Sequence, residues 1–193
     1  PALDALKEFG PEQVIVSTYQ AISGSGKTFE QWPEMIGNVI PYIGGEEEKS
    51  EKEPLKIWAQ VKDGKIVNAS KPVISAQCIR VSVLDGHMAT VAVKFAKKPS
   101  REQILESWAN YSTAIEDMDL PLAPKNFLNY MEEDNRPQPV LDRDLEKGMA
   151  VTIGRLREDS IFDYKFVCLS HNTLRGAAGG ALLTAELIKK MGY

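Results

Sequence analysis

Alternating apolar and polar positions along the chain predict a set of β-strands. In these segments the apolar residues recur at every second position, and β-branched residues are frequent, which is typical of strands. The segments span residues 13–19, 72–83, 87–95, 149–157 and 161–169. A further hairpin is predicted over residues 61–68, around the turn-forming pair Asp63 and Gly64.

Capping residues and helical periodicity predict helices between these strands. Ser100 is expected to cap one helix, with Gln103 completing a capping box, and this helix should reach about residue 111. Residues 46–58 are expected to form a charged helix that kinks or restarts at Pro54. Gly10 is expected to end the last turns of an N-terminal helix. The remaining expectations are a short helix within residues 32–43, a long proline-rich ordered excursion over 119–138 and a final helix over 172–191.

The order of these elements indicates the fold class. The helices do not alternate strictly with the strands, so we expect an α+β domain with a mostly antiparallel or mixed sheet, covered by helices on one face. No strand is followed by the glycine spacing of a dinucleotide-binding turn, because the loop SGSG has a different spacing. The sequence therefore predicts no self-contained dinucleotide-binding fold.

Composition narrows the class of protein. The chain has 193 residues, 43% of them hydrophobic and 26% charged, and a net charge of −4, so a nucleic-acid or membrane partner is not expected. Two cysteines without metal-ligand spacing favour a reducing cytoplasm, and we expect no metal site. A chain that begins in mid-helix at Pro1, without methionine, suggests an excised fragment, and a trimmed N-terminus is the alternative.

Arg80 and His87 are the first candidates for chemistry. Arg80 shares one strand face with Ile74, Ala76, Cys78 and Ser82. A guanidinium in this setting can grip a carboxylate through two parallel hydrogen bonds. His87 follows Asp-Gly at the mouth of the next strand, where it can titrate near neutral pH as a general acid or base. From spacing alone, a structural role for both residues is the competing interpretation.

Two further segments carry polar groups that suit a small zwitterionic ligand. Glu46 and Lys49 share one helix face, and together they can bind an ammonium and an anion. Gln20 ends a strand and is followed by Ser23 and Gly24, where the backbone can approach a ligand closely. The competing interpretations are a solvated helix face and an ordinary turn.

The last candidates are a glycine-rich helix and two cysteines. The segment after Asn172 contains many Gly and Ala residues, which indicates either a flat ligand or a second helix packed close to its backbone. Cys78 lies on the face of Arg80 and is a formal nucleophile candidate, but its apolar strand favours a packing role, and Cys168 is interpreted in the same way.

Five motifs in this order resemble aspartate-semialdehyde dehydrogenase, particularly its archaeal and fungal-type branch. They are QAISGSG, NVIPYIGGEEEK, SAQCIRVSVLDGH, EEDNRPQPVLDRD and SHNTLRGAAGGALLTAE, and together they extend over nearly the whole chain. Each motif alone is weakly specific, whereas the ordered set is specific. The resemblance implies NADP-dependent reduction of aspartyl phosphate to aspartate semialdehyde, in the biosynthesis of Lys, Met, Thr and Ile.

The resemblance also implies a role for each candidate residue. His87 would be the acid/base, Gln20 the active-site glutamine, Arg80 the ligand of the substrate carboxylate, Glu46 that of its amine and Lys49 that of phosphate, while Ser23, Gly24 and Asn172 would contact NADP. The nucleophilic cysteine would precede Pro1, so this chain alone is expected to be inactive. Residues 1–193 would form the substrate-binding and dimerisation domain of a homodimer or homotetramer, with residues 172–193 packing toward a nucleotide-binding domain.

Several positions depart from the pattern of the family. Residues 27–32 read KTFEQW instead of a glycine-proline loop, Ser82 replaces a proline, and Met88 replaces a threonine. Related acyl reductases such as malonyl-CoA reductase share some motifs, and a non-catalytic oligomerisation module is a further alternative. The pair Glu46 and Lys49 favours an amino-acid substrate. Arg136 and Arg143, in RPQPVLDR, are expected at an interface between subunits or domains.

Overall fold

A seven-stranded mixed sheet is the frame of the domain. The structure is a computed structural model, and it describes residues 1–113, 115 and 118–193. The strands are β1 (Pro11–Gln20), β2 (Val39–Ile40), β3 (Gln60–Lys62), β4 (Lys65–Val67), β5 (Val73–Val81), β6 (His87–Phe95), β7 (Leu128–Met131), β8 (Val151–Glu158) and β9 (Tyr164–Ser170). The sheet has the order β2-β5-β1-β6-β9-β8-β7, and β3 and β4 form a separate hairpin.

The helices are short, and all but the last lie between strands in the sequence. They are α1 (Glu46–Ile57), α2 (Arg101–Ala109), α3 (Pro139–Asp142), α4 (Leu145–Gly148) and α5 (Gly179–Lys190). Short segments of 3-10 helix span Asp4–Phe9, Ile22–Ser25 and Pro33–Met35, and a π-helical segment, Leu174–Ala178, leads into α5.

The pairing of β1 sets the position of the functional residues. β1 runs parallel to β5 and antiparallel to β6, so it lies between two strands that a single turn connects in sequence. Because β1 and β5 are parallel, their last residues lie at the same end of the sheet, and Gln20 is paired with Arg80. The chain then turns back through Asp85 and Gly86 and begins β6 with His87 at this same edge.

One face of the sheet carries the core. Val14, Val93 and Phe166 pack against Ile104 and Trp108 of α2 in one cluster. The indole of Trp108 donates a hydrogen bond of 2.9 Å to the carbonyl of residue 2, so the start of the chain is fixed to this helix. On the opposite face Ile15 remains 46% exposed, so this side of β1 is open to solvent there.

The structure confirms the predicted fold class, an α+β domain with a mixed sheet. The predicted strands, the hairpin at Asp63 and the capping box at Ser100 are all present. The N-terminal turns are 3-10 helix instead of α-helix. α1 does not restart at Pro54 and continues to Ile57, because this residue lies in the last turn of the helix, where few backbone hydrogen bonds remain to be lost. The excursion over 119–138 contains β7, which its proline content concealed.

The final helix begins later than the predicted residue 172. The side chain of Asn172 forms hydrogen bonds with residues outside the helix, and regular α-helix begins only at Gly179. A Cβ atom at Gly179 would lie 2.5 Å from the Sδ of Met149, so this glycine allows the helix to pack closely within the domain. Close packing inside the domain is therefore one reason for the small residues in this segment.

Candidate functional site

The backbone of Ala21 joins the two principal site residues. Ala21 is fully buried and follows directly after β1. Its carbonyl accepts a hydrogen bond of 2.7 Å from Nη1 of Arg80, and its N–H donates to Nδ1 of His87 at 3.2 Å. One peptide segment thus holds a guanidinium and an imidazole side by side. Sequence reasoning missed Ala21, because a backbone contact leaves no signature in the identity of the side chain.

The turn after β1 lies directly on these two side chains. A Cβ atom built at Gly24 would lie 2.8 Å from Nε2 of His87 and 2.9 Å from Nη1 of Arg80. No real Cβ atom tolerates these distances without displacing a neighbour. Glycine at position 24 therefore allows the backbone to approach the imidazole edge closely, and contact of this turn with a ligand stays a prediction.

His87 is held as a neutral imidazole. Burial, together with the nearby charge of Arg80, lowers the pKa of His87 to about 4, so the expectation that this residue titrates near neutral pH is wrong for the domain as it stands. Because Nδ1 accepts the Ala21 N–H, the proton of the neutral ring lies on Nε2. The ring therefore presents a donor at Nε2, next to Gly24.

A second group of side chains extends from the same edge. Nε2 of Gln20 donates to Oε2 of Glu46 at 3.4 Å, and Oε1 of Glu46 accepts from Nζ of Lys49 at 2.8 Å. The hydrogen bond from Lys49 is the main reason why the pKa of Glu46 is lowered. Arg80 adds a weaker attraction in the same direction, so this carboxylate stays ionised between two cations. Lys49 keeps 56% of its side chain exposed and is open to an anionic ligand.

Asn172 braces the turns that carry the site. Its Nδ2 donates to Oγ of Ser23 at 2.9 Å, and its Oδ1 accepts from the N–H of Gly86 at 2.9 Å. The N–H of Ser23 donates in turn to the carbonyl of Leu84 at 3.2 Å. All eight residues predicted for the site are thus gathered at one end of β1, β5 and β6.

The RPQPVLDR segment lies behind this site. Nη1 of Arg143 donates to the carbonyl of Asp85 at 3.2 Å, and Pro139 lies 3.3 Å from the position that a Cβ on Gly86 would take. Arg136 forms an ion pair with the buried carboxylate of Asp142. Arg136 and Arg143 thus make contacts within the domain that support the turn before His87, and their place at an interface stays a prediction.

The two cysteines serve packing in this domain. Cys78 is fully buried, and its nearest polar contact is the hydroxyl of Ser50 at 3.7 Å. Burial raises the pKa of the Cys168 thiol to about 11, which leaves it protonated and unreactive at neutral pH. Neither thiol has the environment of an activated nucleophile.

Two other features, a metal-binding cluster and a membrane-spanning helix, are not found among the described residues. Among residues 1–113, 115 and 118–193, no group of three or more His, Cys, Asp or Glu is arranged to hold a metal ion. Within the same part of the chain, every helix is too short or too polar to cross a bilayer. A cavity of about 580 Å³ lies between the first 3-10 helix and α2, and no residue of the predicted site lines it.

Most of the chain matches a known protein family. Residues 1–175 match the family model described as semialdehyde dehydrogenase, dimerisation domain. The chain is 45% identical to the aspartate-semialdehyde dehydrogenase of Schizosaccharomyces pombe over 98% of its own length and 55% of that protein. It is 41% identical to the enzyme of the same name from Archaeoglobus fulgidus, over 98% of its length and 54% of that protein. The chain therefore spans about half the length of the relatives it matches.

Solved structures show the same domain. A crystal structure of aspartate semialdehyde dehydrogenase with NADP from Candida albicans superposes with a TM-score of 0.86 at 38% identity, over 98% of this chain and 54% of that one. The second enzyme of this name from Vibrio cholerae, complexed with ASA, gives a TM-score of 0.75 at 21% identity, over 97% of this chain and 58% of that one, and shows the fold alone.

Proposed function

The chain belongs to the semialdehyde dehydrogenase family, whose dimerisation domain it matches, and we propose that it serves the NADP-dependent reductive dephosphorylation of L-aspartyl 4-phosphate to L-aspartate 4-semialdehyde. In this proposal the domain supplies substrate binding, acid–base chemistry and subunit contacts in a cytoplasmic enzyme of amino-acid biosynthesis. The observation that carries it is the meeting of Arg80 and His87 on Ala21, with Glu46 beside them.

The charges at the site suit the two ends of an amino acid. Arg80 offers its remaining N–H groups to the α-carboxylate, and Glu46 offers an ionised carboxylate to the amine. A substrate amine at Glu46 competes with Lys49, whose ammonium is then free to meet the phosphate of the substrate. Fixing both ends of the substrate makes the later reaction effectively intramolecular, which removes much of its entropic cost. A coenzyme A thioester of a simple diacid has no amine for Glu46, so the geometry favours the aspartyl substrate.

His87 has the geometry of a proton donor at Nε2. In the neutral ring this atom carries the proton and faces the turn at Gly24. Its Nε2–H can donate a hydrogen bond to an oxyanion that develops at the substrate carbonyl. Gln20 adds an amide group at the same edge and holds the carboxylate of Glu46 in place.

NADP would approach the site at the turn formed by Ser23 and Gly24. The fit rests on Gly24, whose backbone lies directly against the imidazole because a side chain there would collide with His87, so a flat ring at this turn would meet backbone instead of a side chain. The cofactor supplies the hydride when it is bound. Asn172 uses its side chain to fix Ser23 and Gly86, and we assign it the role of holding this turn in the shape that the ring contacts.

The domain would act with a nucleotide-binding domain and with a second copy of itself. Residues 172–193 carry exposed apolar side chains at Leu182, Ile188 and Met191, which suit packing against the nucleotide-binding part of the enzyme. The uncovered face of the sheet has a groove lined by Ile15, Thr90, Ala92 and Val167, among others, which suits the pairing of two subunits. We propose this face for the homodimer, from which a tetramer can also form.

The activity is tested with the full-length protein that contains this domain. We expect NADPH to form from NADP, phosphate and aspartate semialdehyde, and not from NADP, coenzyme A and malonate semialdehyde. The 193-residue chain alone is expected to give no turnover and no tight binding of NADPH, because it provides no dinucleotide-binding fold. A preference for the coenzyme A reaction would assign the chain to the related acyl reductases. Turnover by the isolated chain would refute the proposal that catalysis also needs a nucleotide-binding domain.

Replacing Gly24 by alanine tests the close contact at the site. The added methyl displaces either His87 or Arg80, and a misplacement of about 1 Å can lower catalysis by about 10²-fold. We therefore expect kcat/KM to fall by about this factor, while the melting temperature stays close to that of the wild type, because the turn lies at the edge of the sheet. Gly44→Ala is the control, since its nearest neighbour is the hydroxyl of Tyr42 at 3.9 Å. Equal activities for the two variants would contradict the role given to Gly24.

A further inference from the structure

Side chains of α1 accept hydrogen bonds from the backbone along the outer edge of β5. Among the described residues, β2 pairs with β5 at Arg80 and Val81, and no strand in this part of the chain pairs with the backbone N–H groups before Arg80 on that edge. The N–H of Cys78 donates to Oε1 of Glu47, and the N–H of Ala76 donates to Oε1 of Glu51, each at 3.1 Å. Two carboxylates of α1 therefore take the place of a neighbouring strand.

The spacing of these contacts matches helix to strand. Glu47 and Glu51 are four residues apart, which corresponds to about 6 Å along a helix at 1.5 Å per residue. Cys78 and Ala76 are two residues apart, which corresponds to about 6.6 Å along a strand. The helix runs antiparallel to β5, and two equal contacts fix both its height along the strand and its rotation about its own axis.

The rotation of α1 decides where the substrate-binding pair lies. Glu46 precedes Glu47, and Lys49 lies between the two anchored residues. With the anchors on β5, Glu46 reaches Gln20 and Lys49 reaches Glu46, as the distances of 3.4 Å and 2.8 Å record. A helix that rolled or slid on the edge of β5 would carry this ion pair away from Arg80.

We propose that Glu47 and Glu51 are positioning residues that lock α1 onto the free edge of β5 and thereby set the amine- and phosphate-binding end of the site. The inference rests on the function proposed for Glu46 and Lys49. It distinguishes three consecutive glutamates by role: Glu46 faces the substrate, Glu47 anchors the helix, and Glu48 is exposed to solvent. The anchoring needs a hydrogen-bond acceptor and does not need a charge, because its partners are neutral backbone N–H groups.

The test compares three variants in the full-length protein. In E47A/E51A both acceptors are lost, and α1 is free to move with Glu46 and Lys49. We expect KM for aspartate semialdehyde and for phosphate to rise by roughly tenfold or more, because one lost hydrogen bond between the substrate and a charged side chain lowers affinity by about one order of magnitude. We expect kcat to change by less than about threefold, because Arg80 and His87 are held on Ala21 independently of α1. E47Q/E51Q removes the same two charges and keeps both acceptors, so it should behave like the wild type. E48A is the control for an exposed glutamate of the same run.

Hydrogen exchange gives a second readout that does not depend on activity. The amides of Ala76 and Cys78 should lose protection in E47A/E51A and keep it in E47Q/E51Q and E48A. Unchanged KM values with unchanged protection in E47A/E51A would overturn the inference, and so would an equal rise of KM in the glutamine and alanine variants, because the charge would then be the cause. A wild-type protein without dehydrogenase activity would refute the proposed function, while the exchange measurement would still decide whether the anchors hold α1.

Discussion

Replacing His87 by alanine is expected to lower kcat by about 10²–10⁴-fold, the range typical of the loss of a general acid or base. The reason is the hydrogen bond from the Ala21 N–H to Nδ1, which leaves the proton on Nε2 at the reacting end of the ring. Steady-state kinetics of the full-length protein measure the effect. His87→Asn is the matched variant, because its Oδ1 can still accept the Ala21 N–H although it cannot transfer a proton. We expect the same loss of kcat from both variants, and an unchanged kcat in either would exclude His87 as the acid/base.

The same residue predicts a dependence of stability on pH. His87 has a pKa of about 4 in the folded domain, below its ordinary value of 6.5. Between these two values the unfolded chain binds the proton more readily, so the folded state loses stability as the pH falls from 6.5 toward 4. Above pH 6.5 the imidazole is mostly neutral in both the folded and the unfolded state, so the contribution of His87 to the free energy of unfolding no longer changes with pH. The titration of the imidazole can be followed by NMR, and it should be absent from His87→Ala, which leaves only His171 in this chain.

Replacing Arg80 by leucine is expected to raise KM for aspartate semialdehyde by about 10²-fold or more, because the loss of one partner of a buried charged pair costs about 2–5 kcal/mol. Arg80 is 6% exposed, so no other cation can easily take its place beside Ala21. The change also leaves the Ala21 carbonyl without its donor, which should lower the free energy of unfolding by about 1–3 kcal/mol.

Arg80→Lys distinguishes the role of this residue in substrate binding from its role in the stability of the fold. Lysine keeps the charge and one donor but loses the planar fork that matches a carboxylate, so we expect an intermediate KM with most of the stability retained. Lower stability together with an unchanged KM in Arg80→Leu would support the structural role that the spacing of residues alone also allowed. Both quantities can be measured on the same preparations, by steady-state kinetics and by denaturant unfolding.

The sequence predicted most strands, but not the order of the strands in the sheet. Period-two patterning tells which face of a strand is buried and does not tell which strand lies beside it. The turn at Asp85 and Gly86 suggests that β5 and β6 are neighbours, yet β1 lies between them. This arrangement explains why residues at Gln20 and Arg80, far apart in sequence, are adjacent in the sheet.

The least predictable parts of the site are contacts in which a side chain meets backbone. The role of Ala21 depends on its carbonyl and N–H, which every residue but proline possesses. Glu47 and Glu48 cannot be told apart in the sequence, because they differ only by a rotation of 100° about a helix whose neighbour is unknown. The ordered motifs supplied the roles of Arg80 and His87, and their geometry could be seen only once the sheet was assembled.

The strand order also has a consequence for how the chain folds. β1 ends at Gln20, while its partner β5 begins at Val73 and β6 is completed at Phe95. β6 in turn pairs with β9, which ends at Ser170, so the centre of the sheet closes only when most of the chain is available. Pairings between such distant segments cost loop entropy and slow folding. Between the synthesis of β1 and that of β9, the nascent chain therefore exposes unpaired strand edges, which are the kind of surface that pairs with other unfolded chains.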